Sequence, residues 1–111
     1  MGIYRDAISQ ADKVMYPNDA LLTLKKAILQ NLSICTNNTG DFKATIANCS
    51  RAINIDSKSG KAYYLRSVAY FKREMVDEAM DDVMRAIKLN PNDKQVRSHY
   101  EIVRVKKRTK T

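Results

Sequence analysis

Two nine-residue stretches, RAINIDSKS at 51–59 and RAIKLNPND at 85–93, share one pattern at a spacing of 34 residues. Each opens Arg-Ala-Ile, passes one polar and one aliphatic residue to Asp or Asn, and closes in turn formers. Sliding the whole chain by that period extends the match. Phe42 meets Val76, Ile46 meets Met80, Cys49 meets Val83, Ile53 meets Ile87, and Ser33 meets Ser67. A period of this length belongs to helix–turn–helix units that stack, because one pair of helices cannot cover its own apolar face. Repetition therefore constrains the fold before any other property does.

The helices follow from the same register. Residues 60–73 place Tyr63, Ser67 and Tyr70 on one stripe, and residues 77–89 place Ala79, Met80, Val83, Ala86 and Ile87 at helical spacing. Asp77 and Glu78 near the start of the second and Lys88 near its end suit the helix dipole. Asn90-Pro91 stops it. The preceding copy predicts helices near 20–36 and 42–55, with Gly40-Asp41 as the turn and Asp56-Ser57 as the stop. Ala69, Ala79 and Ala86 are small enough for close helix packing. Upstream, residues 3–14 align with 42–53 and read as the second helix of an incomplete copy, whose apolar Ile3, Ala7, Ile8, Ala11 and Val14 lack a partner helix. Downstream, 93–108 reads as a capping helix with Val96, Tyr100, Val103 and His99 inward. The expected divisions are 1–19, 20–59, 60–93 and a basic end at 94–111.

Composition narrows the chemistry. With 111 residues the chain allows one domain, and 3 Gly and 2 Pro favour helices. No apolar run is long enough to span a membrane, and the first residues lack a signal-peptide core. Cys35 and Cys49 fall in expected helices and read as reduced, core-packing thiols of a cytoplasmic protein. The glycosylation-type triplets at Asn31, Asn37 and Asn48 then read as accidental. No cofactor, metal set or catalytic constellation is expected: one His, no paired cysteines, no phosphate loop and no nucleophile with a base. Asp77, Glu78, Asp81 and Asp82 read as a solvated helix face. The net charge of +8 favours an acidic partner.

In residues 60–93, Tyr63, Ser67, Tyr70, Ala79, Ala86 and Pro91 fill a pattern that resembles the tetratricopeptide repeat, with Val83 in place of an aromatic, Arg66 in place of Leu and Glu74 in place of Gly. Residues 26–59 fit more loosely, with Ser57 replacing the Pro. KAILQNLSICTNNTGDFKATIANCSRAINID and KAYYLRSVAYF further resemble the repeats of FK506-binding immunophilins and related co-chaperones. The resemblance implies an all-α, right-handed superhelix of antiparallel helix pairs with a capping helix, acting as a protein–protein interaction module. It implies no catalysis in this chain, any prolyl isomerase domain lying upstream.

The implied partner is the acidic C-terminal tail of heat-shock protein 90 or 70, ending Glu-Glu-Val-Asp, in a basic concave groove. In that family a clamp of Lys, Asn, Asn, Lys and Arg holds the terminal carboxylates. Asn31 and Lys61 match the third and fourth of these in type and register, or are ordinary groove residues. The Arg position is Leu65. Arg66, one place on and about 100° round the helix, either substitutes for it or packs between repeats. The first Lys and Asn belong to a helix that this chain does not supply. Losing two or three charge-assisted hydrogen bonds of about 1.5–3 kcal/mol each reduces a micromolar complex to roughly millimolar. Two other readings stand beside this one. One is self-association as a homodimer through the 3–14 helix. The other is association of the basic run 104–110 with nucleic acid, or with calmodulin as the immunophilin likeness suggests.

Overall fold

The computed structural model describes residues 17–110. They form five helices: α1 (Pro17–Thr39), α2 (Phe42–Ile55), α3 (Gly60–Lys72), α4 (Val76–Leu89) and α5 (Lys94–Lys110). No strand occurs among the described residues. Each helix packs on the next, and α1 also meets α3, as α3 meets α5. The order is that of two stacked pairs followed by a cap. The expected 3–14 helix lies outside the described residues. α1 is longer than expected at both ends, opening at Pro17, whose fixed φ and missing N–H suit a first helical position.

The turns explain the boundaries. Asp41 caps α2 by accepting from the Ala44 amide at 3.2 Å, and Ser59 caps α3 by accepting from the Ala62 amide at 3.3 Å. Asp93 accepts from the amides of Gln95 and Val96, at 2.9 and 3.2 Å, and starts α5. Such caps satisfy amides that have no partner inside the helix. Between paired helices the backbone turns left-handed, at Gly40 (φ 88°) and, one period later, at Glu74 (φ 66°). Glycine takes that conformation freely, whereas glutamate is strained there. Asp56 and Asn90 close α2 and α4 as expected. Gly60 starts α3 directly against Asn90, and a Cβ on it would collide with the Asn90 side-chain amide.

One core joins Val76, Ala79, Met80, Val83 and Ala86 of α4 to Val96 and Val103 of α5, with Tyr63, Tyr70 and Phe71 packed against it. A smaller one joins Leu29, Ala52 and Ala62 across α1, α2 and α3. Ala69, Ala79 and Ala86 are fully buried, as close packing of the helices requires. Leucine at any of them would overpack the contact by about 1–3 kcal/mol. His99 is buried too, its Nε2 2.9 Å from the Ser67 hydroxyl, with the rings of Tyr64 and Phe71 edge-on to it. Ser67 donates to the Ala79 carbonyl at 2.6 Å, so the hydroxyl accepts from His99 Nε2–H and links α3, α4 and α5.

Two sequence expectations fail here. Cys49 is buried, and burial pushes its thiol up to about 11, but Cys35 is exposed. Its counterpart one period on, Ala69, sits in a helix flanked by both α2 and α4. Among the described residues nothing flanks α1 on the side of Cys35. Nor is Asp82 part of a solvated face. It is 1% exposed, while Asp77, Glu78 and Asp81 are exposed.

Candidate peptide-binding groove

The first helices of successive pairs, α1 and α3, together with the start of α5, enclose a groove of about 630 Å³. Repetition builds its walls. Lys61, Tyr64, Leu65 and Val68 share one face of α3 at steps of three and four residues, and Ile34 stands one period before Val68. Asn37 and Asn38 extend the α1 wall, and Asp93, Gln95 and Val96 form the α5 wall. The floor is apolar and the rim is mostly amide.

Lys61 is exposed at this groove and pairs with no carboxylate among the described residues. Asn31 is exposed on α1, one turn before Ile34, and stands outside the walls. Leu65, where the family resemblance places an Arg, is 7% exposed and contributes carbon to the floor. Among the described residues the groove is not basic as expected: the one cation lining it, Lys61, is balanced by Asp93. The chain's positive charge lies elsewhere, much of it on α5, where Lys107 reaches Asp77 at 3.4 Å and Arg104 reaches Glu101 at 2.9 Å.

Arg66 is not a groove residue. Its guanidinium grips the buried Asp82 carboxylate with two bonds, Nε–Oδ2 at 2.6 Å and Nη2–Oδ1 at 2.9 Å. A third bond runs from Nη1 to the Ser50 hydroxyl at 2.9 Å. The rings of Tyr63 and Tyr70 each lie 5.8 Å from the guanidinium carbon. The hydrogen bonds with Asp82 hold the Arg66 guanidinium above its ordinary range. One step along α3 from Leu65 turns the side chain about 100°, away from the groove and into the seam between α2, α3 and α4. The arrangement is a cross-brace, and it excludes Arg66 as a substitute clamp residue.

Sequence reasoning met Asn37 only in a glycosylation-type triplet and not as a groove residue. Its Nδ2 donates to the Leu65 carbonyl at 3.3 Å and ties α1 to α3. Periodicity could have found the α3 wall: once Lys61 is placed, the same face carries Tyr64, Leu65 and Val68. The α5 wall carries no such signal.

Residues 60–93 match the protein family described as Tetratricopeptide repeat. The chain is 29% identical over 98 residues to rat sperm-associated antigen 1, covering 88% of this chain and 10% of that protein. It is also 29% identical over 90 residues to the peptidyl-prolyl cis-trans isomerase CYP7 of Saccharomyces cerevisiae, covering 78% and 23%. The chain thus spans less than a quarter of either relative. The C-terminal TPR-containing domain of a Plasmodium falciparum FK506-binding protein superposes with a TM-score of 0.78 at 25% identity, over 97% of this chain and 76% of that one. Residues 60–93 thus match one tetratricopeptide repeat outright, and the pair before it, α1 and α2, is folded on the same plan.

Proposed function

We propose that this domain holds a short acidic peptide end in the groove between α1, α3 and α5, as part of a co-chaperone-like protein working in the cytoplasm. Tetratricopeptide repeats are non-catalytic interaction modules, and several relatives carry chaperone-related or isomerase names. The observation that carries the proposal is Lys61: an ammonium with no carboxylate partner among the described residues, at the edge of a groove whose other walls are amide and apolar apart from Asp93. One lysine grips one carboxylate, and Leu65 supplies no second cation, so binding is weak and depends on the terminal carboxylate. Titration of a Met-Glu-Glu-Val-Asp peptide and of the same peptide amidated at its C-terminus tests this at low salt. The free acid binds more tightly, and Lys61→Ala removes the difference. Equal binding of the two peptides discards the reading.

A second reading is favoured by one observation. Leu21, Leu24, Ile28 and Leu32 form a stripe on α1, each 44–57% exposed. In this reading two copies pair through that stripe. Light scattering across a concentration series, with Ile28→Glu beside the natural chain, decides it: a monomer at every concentration ends the idea.

A further inference from the structure

A second cleft, of about 560 Å³, lies between α4 and α5. On α5 it is lined by Arg97, Tyr100 and Glu101, where the groove meets Gln95 and Val96. Its meaning comes from the repeat. One period earlier, Ser50, Tyr63, Arg66 and Ser67 hold the places of Met84, Arg97, Tyr100 and Glu101. There α4 covers them. Ser67 donates to the Ala79 carbonyl at 2.6 Å, Arg66 joins Asp82 to Ser50, and the Arg85 guanidinium carbon stands 5.9 Å from the Tyr63 ring. In the later copy no helix lies over the corresponding places among the described residues. Met84 is 53% exposed, and Arg97 and Glu101 are exposed as well. We infer that this cleft docks an acidic amphipathic helix of a partner protein, laid against α5 as α4 is laid against α3.

The residues that changed between the copies say what such a helix carries. Met84, Ile87 and Tyr100 give the cleft its apolar surface, and Arg85, Lys88 and Arg97 give it cations. Lys88 and Arg97 pair with no carboxylate among the described residues. Glu101, the one carboxylate lining the cleft, is held by Arg104 at 2.9 Å. Each exchange redirects a contact that α4 makes. Arg66, which takes the Asp82 carboxylate, gives way to Tyr100, so the incoming helix needs an apolar side chain at that step. Tyr63, which takes Arg85 against its ring, gives way to Arg97, so the incoming helix needs a carboxylate three residues further on. Apolar anchors and charges at such spacing are how a helix reads a groove. A second copy of this chain, with a net charge of +8, meets like charge at this rim, whereas an acidic partner is drawn to it. The inference is independent of the groove reading.

The α4 sequence itself supplies the probe, because α4 fills the earlier slot. It is made as a separate peptide of residues 76–89 with blocked ends, held helical by a lactam on its outer face, and carrying Asp82→Leu and Arg85→Glu. The control peptide carries Asp82→Leu alone. Nuclear magnetic resonance of the Met84 methyl group in the full chain is the readout. The probe is expected to shift that methyl and to bind about tenfold more tightly than the control, the effect of one charge-assisted pair. Raised salt should narrow the difference, and Arg97→Gln in the full chain should remove it. A Met84 methyl that stays still, equal binding of the two peptides, or a preference that survives Arg97→Gln overturns the inference. So does a Met84 methyl already shielded from a soluble spin label in the free chain, since a second copy or another segment of the chain then holds the cleft. Failure of Met-Glu-Glu-Val-Asp to bind discards the groove reading and leaves this one standing.

Discussion

The two helix pairs of this chain share a plan and differ in what fills it. In the second pair, Arg66 of α3 meets Asp82 of α4 in a forked, buried ion pair. One period earlier the same two places hold Leu32, 46% exposed, and Asn48, half-buried. The seam of the first pair is instead a run of small polar groups. Ser33 donates to the Leu29 carbonyl at 2.8 Å, Cys49 Sγ donates to Ser33 Oγ at 3.3 Å, and the Thr36 and Thr45 hydroxyls bond to each other. A repeat unit dictates where side chains point without dictating how each slot is closed. Apolar packing, hydroxyl bonding and a braced ion pair all satisfy the same backbone.

That contrast is open to breaking. Asp82→Ala strands the Arg66 guanidinium in the seam and should cost about 3–5 kcal/mol, whereas Asn48→Ala in the equivalent slot should cost less than about 1 kcal/mol. Chemical denaturation of both variants checks the ratio, and equal losses would mean that the brace carries no special weight. Next in size is Ser67→Ala. It removes the acceptor of His99 and a bond to the Ala79 carbonyl, and should cost about 2 kcal/mol. Ser33→Ala strands only a weak thiol donor, so its thermal midpoint should fall less.

The helix-pair turns invite an exchange. Glu74→Gly should stabilise the chain by about 1 kcal/mol, since it relieves a left-handed residue. Gly40→Ala should destabilise it by a similar amount. No atom lies within 4 Å of a Cβ at Gly40, so the loss is conformational and steric crowding plays no part. Opposite signs in urea midpoints are the expected result, and same-sign shifts would mean that side-chain contacts outweigh the backbone.

The smallest effect is a pH dependence confined to the α3–α5 contact. Burial lowers the His99 pKa, outweighing its bond to Ser67, with the Lys72 charge adding to the shift. The unfolded chain then binds the proton more readily than the folded one. Stability from this group is complete above the unfolded value of about 6.5 and is lost as pH falls through it toward the lower folded value. His99→Gln should flatten the difference between unfolding curves at pH 7.5 and pH 5. An unchanged slope would place the dependence in other groups.

The period made the helix order, the turn at Gly40-Asp41 and the buried alanines legible, because each rests on local spacing or on a slot that recurs. The inward side of α5 was readable for the same reason, with Val96, His99 and Val103 all buried. What escaped depends on non-local pairing. Asp82 looked solvated because a carboxylate beside Asp81 reads as a charged face, and its cation lies on another helix. Cys35 looked buried because Ala69 is. A periodic argument assigns every copy the same neighbours, and the first described helix has fewer. At the groove, Lys61 was legible through its register. Its neutral setting was not, since Asp93 comes from the capping segment, outside the repeat's own face. Asn37 showed only a glycosylation-type triplet, because its tie to the Leu65 carbonyl is made across helices.

The contact between Gly60 and Asn90 has a genealogical side. After one helix, a turn and a second helix, the chain comes back to touch its own point of departure, and the missing side chain at Gly60 leaves room for the Asn90 amide. A stretch of sequence that begins and ends in one place can be duplicated or excised in a gene while the flanking chain keeps its position. New copies then inherit a ready-made joint. Drift afterwards alters the filling of each copy, as Arg66 and Leu32 record, and the chemistry of the joint as well: one period before Gly60 and Asn90 stand Lys26 and Asp56, which meet as an ion pair at 2.8 Å.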